Sequence, residues 1–91
     1  LAPGAPQNLT ATATGSTVTI TWAPAASGGL ASSDVLEVGS APGLANLATR
    51  PVTATAFTTS GVPRGTFYVR VRAVNAVGTG PASAEATLVV P

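Results

Sequence analysis

The sequence predicts an all-β fold, a sandwich of two antiparallel sheets built from seven short strands. Three observations lead to this prediction. Apolar and polar residues alternate with a period of two, most clearly over residues 17–22 and 67–74. Clusters of Gly, Pro, Ser and Asn separate such segments, and no stretch keeps helical spacing for long. Seven strands spaced in this way along 91 residues are typical of a single two-sheet sandwich.

Turn-forming clusters divide the chain into a lead-in, loops and strands. Residues 1–6 contain two prolines and a glycine, and are expected to form an extended lead-in or an inter-module linker. Residues 23–33, which include Pro24 and two successive glycines, are expected to form a long loop. Residues 75–81 are expected to form another loop because of their Asn and Gly content. The predicted strands are residues 7–13, 17–22, 34–38, 47–50, 55–59, 67–74 and 85–90.

The apolar faces of these strands define the predicted core. In the second strand, three threonines lie on one face and three large apolar residues on the other. In the sixth strand a slip of one residue would bury Arg70 and Arg72. The apolar residues that alternate with these arginines therefore face inward and fix the register. The predicted core residues are Val18, Ile20, Trp22, Leu36, Val38, Phe57, Phe67, Val69, Val71 and Leu88.

The composition argues against several classes of partner. Charged residues make up 8% of the chain and the net charge is +1, so there is no electrostatic case for nucleic acid or an anionic membrane. No apolar run approaches the length of a membrane span, so membrane insertion is not expected. The chain has no Cys, so a disulfide framework is excluded and the sandwich has to hold by packing alone.

The residue inventory also argues against an enzyme. The chain has neither His nor Cys. Asp34 and Glu37 lie three apart on a predicted strand, so they point to opposite faces and do not converge as an acid–base pair. No cluster of metal ligands is present in the sequence. We therefore expect no catalytic site, no cofactor and no bound metal.

Several short motifs are more specific in their order and spacing than any one of them is alone. The motifs are Pro6 with N-L-T-A at residues 8–11, V-T-I-T-W at residues 18–22 followed by Pro24, L-E-V-G-S at residues 36–40, G-V-P-R-G-T at residues 61–66 leading into V-R-V-R-A-V-N at residues 69–75, and Gly78 with P-A-S at residues 81–83. Together they resemble a fibronectin type III domain, most closely of the bacterial branch. The resemblance covers essentially the whole chain.

This resemblance carries implications for fold and location. It implies an immunoglobulin-like sandwich in which an A-B-E sheet packs on a C′-C-F-G sheet, without the inter-sheet disulfide of antibody domains. It implies one domain over residues 1–91, part of a modular protein. It also implies a location outside the cell or at the cell surface.

Two positions depart from the family pattern. The family usually has a tyrosine entering the sixth strand whose hydroxyl bonds back to the preceding corner. The inward register puts Phe67 in that place, whereas the spacing from Val62 would nominate Tyr68; the register is the stronger argument, and it predicts that the corner hydrogen bond is missing. Asp34 stands where the third strand commonly begins with an inward aromatic residue, so its carboxylate must lie at a wet rim or find donors nearby.

Charged residues are predicted to meet on the outer face of the C-F-G sheet. Glu37, Glu85, Arg70 and Arg72 would lie there on neighbouring strands, within cross-strand reach of one another. Ordinary solvent-exposed pairing is the favoured interpretation, because charged outer faces are the default for antiparallel sheets. The alternative is a partner-binding face that also includes Tyr68.

Two apolar residues are predicted at one end of the sandwich. Leu30, in the loop between the second and third strands, and Val77, in the loop between the sixth and seventh, should project at the same end. Leu30 is expected to cover the end of the core, with a contact role as the alternative.

The favoured function is a non-catalytic structural or spacer module of a larger secreted or surface multidomain protein. Its partners would be the neighbouring domains of the same chain, and the module itself would be a monomer. The alternative is a recognition module, natural or engineered, that binds a protein or a carbohydrate through its end loops or its C-F-G face. Resemblance of fold supports both functions equally.

Overall fold

The computed structural model describes residues 1–91 and contains eight strands. No helix of the length and apolar character needed to cross a membrane is present. Gly, Pro or Ser occurs in most of the connections between strands, but not in residues 53–55 between β4 and β5 or residues 76–77 between β6 and β7. The strands are β1 (Gln7–Thr14), β2 (Thr17–Ala23), β3 (Ser33–Gly39), β4 (Ala48–Val52), β5 (Ala56–Thr59), β6 (Gly65–Asn75), β7 (Gly78–Ala82) and β8 (Ala86–Val90).

Two antiparallel sheets face each other, and this confirms the predicted sandwich. One sheet has the order β1-β2-β5, which corresponds to strands A, B and E. The other has the order β4-β3-β6-β7, with β8 also paired to β6, which corresponds to C′, C, F and G. The edge strands β4 and β7 each contain a proline, Pro51 and Pro81, which removes a ladder donor and discourages edge-to-edge pairing.

The predicted count of seven strands is wrong, because strand G is divided in two. The segment expected to be a loop at residues 75–81 contains β7, which forms a tight hairpin with β6. Ala82 pairs with Arg72, and Ala86 pairs with Val69. Between these two pairs, three residues (83–85) lie opposite only two residues of β6 (70–71). This extra residue is a bulge, and it interrupts the strand between β7 and β8.

The core lies between the inner faces of the two sheets. Trp22 is only 6% exposed and lies among aliphatic side chains from both sheets. The buried core residues are Val18, Ile20, Trp22, Leu36, Val69, Val71, Leu88 and Val90, with Val38, Phe57 and Phe67 half-buried against them. Burial of these residues is the main stabilising contribution available to a chain without disulfides.

The start of β6 has the register that the inward pattern predicts. Phe67 packs against the core, while Tyr68 lies on the opposite face. The Tyr68 hydroxyl makes no hydrogen bond within the chain, so the corner hydrogen bond typical of the family is missing.

The two ends of the chain lie at opposite ends of the longest strand. The carbonyl oxygen of Leu1 accepts a hydrogen bond from the side chain of Asn75, the last residue of β6. Val90, near the C-terminus, pairs with Gly65, the first residue of β6. Because β6 has 11 residues, these two points are separated by about 33 Å. The domain is correspondingly elongated, with principal extents of 40 × 21 × 18 Å.

Candidate functional site

The outer face of β6 carries two arginines that share one carboxylate. Glu37 on β3 is the cross-strand partner of Arg70, which brings the two side chains to the same face of the sheet. Arg70 Nε lies 2.6 Å from Glu37 Oε1, and Arg72 Nε lies 3.3 Å from the same oxygen. Both arginines therefore point away from the core and are partly neutralised by Glu37.

The environment of Glu37 favours its ionised form. Partial burial of this carboxyl opposes ionisation, but hydrogen bonds from Arg70 and Arg72, together with their positive charges, outweigh the burial. The pKa of Glu37 consequently lies below its ordinary value. The cluster is thus a charged network at neutral pH, with one net positive charge among its three members.

Glu85 does not join this network, contrary to the prediction. It lies in the bulged connection between β7 and β8, where its Oε2 accepts a hydrogen bond from the backbone N–H of Gly43 at 2.9 Å. The carbonyl oxygen of Gly43 in turn accepts a hydrogen bond from Arg70 Nη1 at 3.3 Å. The bulge is the physical reason for the error, because it takes Glu85 out of the ladder that would have aligned it with the arginines.

The side chain of Asn75 joins three segments at the other end of β6. Its Nδ2 donates to the carbonyl oxygens of Leu1, at 2.8 Å, and Leu30, at 3.2 Å. Its Oδ1 accepts from the backbone N–H groups of Val77, at 2.9 Å, and Gly78, at 3.3 Å. The second pair of bonds forms the turn of the β6–β7 hairpin, in the manner of an Asx turn.

Three residues with exposed apolar side chains are joined to Asn75 through their backbones. Leu30 is 93% exposed, Leu1 is 86% exposed and Val77 is 65% exposed. We call these three residues the end cluster. The expectation that Leu30 covers the end of the core is therefore wrong. The N-terminal segment packs against the loop before β3, where Pro3 is buried and bridges to Gly28.

The N-terminal segment is packed into the domain, although residues 1–6 were expected to be a lead-in or linker. Pro3 forms an isolated bridge with Gly28, and the Gly29 N–H donates to the Ala2 carbonyl oxygen at 3.0 Å. Backbone approaches backbone so closely here that side chains are excluded. A Cβ atom on Gly29 would lie 2.0 Å from the Leu1 oxygen, and one on Gly80 would lie 2.2 Å from the Pro3 oxygen.

Asp34 lies beside a cavity at the same end of the sandwich. Trp22 Nε1 donates to Asp34 Oδ2 at 3.4 Å. The partly buried carboxylate therefore has a nearby hydrogen-bond donor, as the sequence predicts. Burial raises the pKa of Asp34, and the hydrogen bond from Trp22 offsets part of this effect. The adjoining cavity, of about 450 Å³, is lined mainly by small residues of the loop before β3 and by residues 53–55. Asp34 is its one charged lining residue, and the other polar side chains of the lining are serine and threonine hydroxyls.

The residues singled out from the sequence fall into two separate regions. Leu30 and Val77 meet at Asn75 through hydrogen bonds of their backbones. Arg70 and Arg72 lie on the outer face of β6 with Glu37, and Tyr68 precedes them on that face. Tyr68 is seven residues from Asn75 along the strand, which corresponds to about 23 Å, whereas Arg72 is only three residues, or about 10 Å, from it.

Sequence reasoning missed Asn75 and Gly80 as organising residues. Both carry a signal that could have found them. Asn75 is followed by a Gly three positions later, a spacing that allows an Asx turn in a hairpin. Gly80 stands next to Pro81 in a segment that was interpreted as a loop, whereas a glycine within a strand marks the close approach of another backbone.

Comparisons with solved structures find the same fold in several proteins. An Fn3-like protein from Clostridium thermocellum is 32% identical, with a TM-score of 0.79 over 100% of this chain and 96% of that chain. The FN5 domain of Drosophila Lar is 24% identical, with a TM-score of 0.75 over 98% of this chain and 97% of that chain. The twitchin kinase region from C. elegans is 22% identical, with a TM-score of 0.78 over 100% of this chain and 17% of that chain.

The family assignment rests on sequence as well as on fold. A search of the curated proteins gives no match. The sequence pattern of the family described as "Fibronectin type III domain" matches residues 4–89. This range includes seven strands in full, all of β8 except Val90, and residues 4–6 of the N-terminal segment. The chain therefore belongs to the fibronectin type III domain family.

Proposed function

We propose that this domain is a non-catalytic spacer module of a larger secreted or cell-surface multidomain protein. The observation that carries the proposal is the placement of its two ends. Leu1 contacts the last residue of β6 and Val90 pairs with the first, so the chain enters and leaves at points about 33 Å apart. A domain with its ends at opposite poles separates the domains on either side of it.

The N-terminal segment supports the same function. A spacer holds a distance well only if its connections are ordered, since a flexible linker lets neighbouring domains swing. Here residues 1–6 are tied to the loop before β3, to β7 and to Asn75. A domain joined before Leu1 would begin directly at the end cluster, so those exposed side chains would be partly covered in the longer protein.

The family context supports the lack of catalysis and the location. Fibronectin type III domains are generally non-catalytic modules and are commonly extracellular. In the twitchin kinase region the matching fold occupies 17% of a larger chain, so this fold does occur as one part of a multidomain protein. The similarity to the protein from Clostridium thermocellum supports a bacterial origin for the module.

Small-angle scattering on tandem copies tests the spacer function. Chains of one, two and three copies, joined directly from Pro91 to Leu1, should increase in maximum dimension by about 35 Å for each added copy, because the ends lie at opposite poles. Increments well under half of that value would show that the copies fold back on one another, and the spacer function would be rejected. A tandem chain with a flexible Gly/Ser insertion at each junction serves as the matched control, and its dimensions should be broadly distributed.

The second candidate is recognition of a protein or carbohydrate at the end cluster. The specific observation in its favour is that three apolar residues whose backbones bond to a single asparagine are 65% to 93% exposed. Binding screens of the wild-type domain against protein and glycan arrays, repeated with Leu30→Ser, test it. Specific binding that Leu30→Ser removes, while Val89→Ser at an exposed residue that lines neither cavity leaves it intact, would support recognition. Absence of any saturable binding would reject it.

A further inference from the structure

An apolar cavity opens at the side of the sandwich, toward the end at which β6 begins. It has a volume of about 410 Å³ and extends from β4 and β5 into the core. Eleven of its fourteen lining residues are hydrophobic. The lining includes the buried Leu36, Val69 and Leu88 and the half-buried Phe57 and Phe67.

The topology explains why the cavity lies on this side. On the opposite side β1 packs against β8, so the two sheets close on one another. On this side the sheets end in the free edges of β4 and β5, and β5 is only four residues long. Side chains alone must therefore fill the gap between the edges. The chain has only two phenylalanines and one tryptophan with which to fill it.

One charged residue, Arg50, points into the mouth of this cavity. Arg50 on β4 is the cross-strand partner of the buried Leu36, so its side chain starts from the inner face of the sheet. Its guanidinium carbon lies 5.3 Å from the centre of the Phe57 ring on the opposite sheet. Arg50 forms no ion pair and donates no hydrogen bond within the chain, so its five N–H donors remain available.

An inward-pointing charge on an edge strand has a known structural use. It discourages the edge from pairing with another chain, and Arg50 on the edge strand β4 fits that use. Edge protection accounts for the charge, but it does not require the apolar cavity beneath it. The combination of the two is what a ligand with an apolar body and an anionic head would need.

We propose that this cavity binds a single-chain fatty carboxylate, with its alkyl chain among the core residues and its carboxylate on Arg50. The volume falls in the range typical of small-molecule sites, which are mostly apolar with a few placed polar groups. Arg50 and Thr59 are the polar side chains of the lining. A planar guanidinium matches a carboxylate with two parallel hydrogen bonds, and the Arg50 charge selects an anionic head over a neutral or cationic one.

A chain-length series tests the apolar part of the site. Hexanoate, octanoate and decanoate are titrated, below the concentrations at which they form micelles, into the isotope-labelled domain while methyl signals are followed by NMR. Saturable shifts are expected at Leu36, Val69 and Leu88. Affinity should rise about fourfold for each added methylene until the cavity is full. Shifts that do not saturate, or an affinity that does not change with chain length, would overturn the proposal.

A matched pair of charge variants tests the head group. Arg50→Gln should weaken decanoate binding about tenfold, as expected for one lost charge-assisted contact. Arg64→Gln makes the same change of net charge at an exposed arginine that does not line the cavity, and should leave binding unchanged. Decanol should bind the wild type and Arg50→Gln equally. Equal weakening by both variants, or equal loss of decanol and decanoate binding in Arg50→Gln, would overturn the role of Arg50.

A second copy of the domain is the competing occupant of this side. The free edges of β4 and β5 could pair with those of another copy, and an apolar side chain could then enter the cavity. In that case the signals of Leu36 and Leu88 would depend on protein concentration without any ligand. Dilution that changes those signals would count against the fatty carboxylate. Signals that stay constant on dilution and shift only with ligand would support it.

Discussion

The hydroxyl oxygen of Ser83 accepts a hydrogen bond from the backbone N–H of Val71 at 3.0 Å, in place of a carbonyl oxygen of the ladder. The bond lies at the bulge between β7 and β8, where regular pairing with β6 is interrupted. The backbone N–H of Ser83 in turn donates to the carbonyl oxygen of Val71 at 2.8 Å. Both residues are buried, so the backbone polar groups of Val71 depend on this one serine.

Replacement of Ser83 by alanine should therefore destabilise the domain. The N–H of Val71 would be left buried without an acceptor, which costs about 1–3 kcal/mol in the free energy of unfolding. Urea unfolding followed by Trp22 fluorescence measures the change. Ser60→Ala is the matched control, because Ser60 is exposed and its hydroxyl makes no hydrogen bond within the chain. Equal stability of the two variants would contradict the assigned role of Ser83.

The glycine at position 80 should be required for packing of the N-terminal segment. A Cβ atom there would lie 2.2 Å from the Pro3 oxygen, so Gly80→Ala should displace residues 1–5 from β7. We expect faster amide exchange at Gly29, whose N–H bonds to Ala2, and a lower free energy of unfolding.

A truncation supplies the control for this substitution. In a chain that begins at Pro6, the atoms that clash with the new Cβ are absent, so Gly80→Ala should cost much less stability than in the full chain. Additive effects of truncation and substitution would show that Gly80 acts through something other than the N-terminal segment.

Two substitutions at Asn75 should separate its two roles. Asn75→Asp keeps the Oδ1 acceptor for the hairpin turn but loses the Nδ2 donor to Leu1 and Leu30. Asn75→Ala loses both. Amide exchange should therefore increase at Gly29 in both variants, and at Val77 only in the alanine variant. Protection at Val77 that is lost equally in both variants would contradict the assignment of Oδ1 to the turn.

The two half-buried carboxyl groups should make opposite contributions to the pH dependence of stability. The pKa of Glu37 is lower in the folded chain, so its ionisation stabilises the fold above the unfolded pKa, and this contribution is lost as pH falls through the folded pKa. The pKa of Asp34 is raised, so ionised Asp34 weakens the fold as pH rises above its unfolded value, near pH 4.

Neutral variants measure these contributions separately. Glu37→Gln should destabilise the domain at pH 7 and progressively less in acid. Asp34→Asn keeps an acceptor for the Trp22 indole, and should gain stability relative to the wild type as pH rises through the mildly acid range. Urea titrations between about pH 2.5 and 7 give both curves. Parallel curves for wild type and either variant would contradict the corresponding pKa direction.

Much of the fold could be predicted from alternation because the inner face of a long strand accepts only apolar residues. In β2 and β6 every second residue is apolar, and a shift of one residue would put Arg70 and Arg72 into the core. The division of strand G could not be predicted this way. It depends on a hydroxyl that replaces a ladder acceptor, and Ser83 looks in the sequence like any other residue of a polar turn.

The end cluster and the side cavity were harder to predict for a different reason. The position of Leu30 depends on the N-terminal segment. The composition of residues 1–6 does not distinguish a segment that packs on the domain from a free linker. The inward direction of Arg50 depends on the register of β4, a short strand with weak alternation. Contacts between segments distant in sequence decide the positions of Leu30 and Arg50, and a local sequence pattern carries no information about such contacts.

The placement of the two ends has a mechanical consequence. Tension applied to Leu1 and Pro91 would pull β1 along β2 and β8 along β6, parallel to the strand axes. The hydrogen bonds of each pair would then share the load in shear, instead of opening one after another as in a zipper. We therefore expect the domain to resist stretching because its first and last strands lie parallel to the direction of pull.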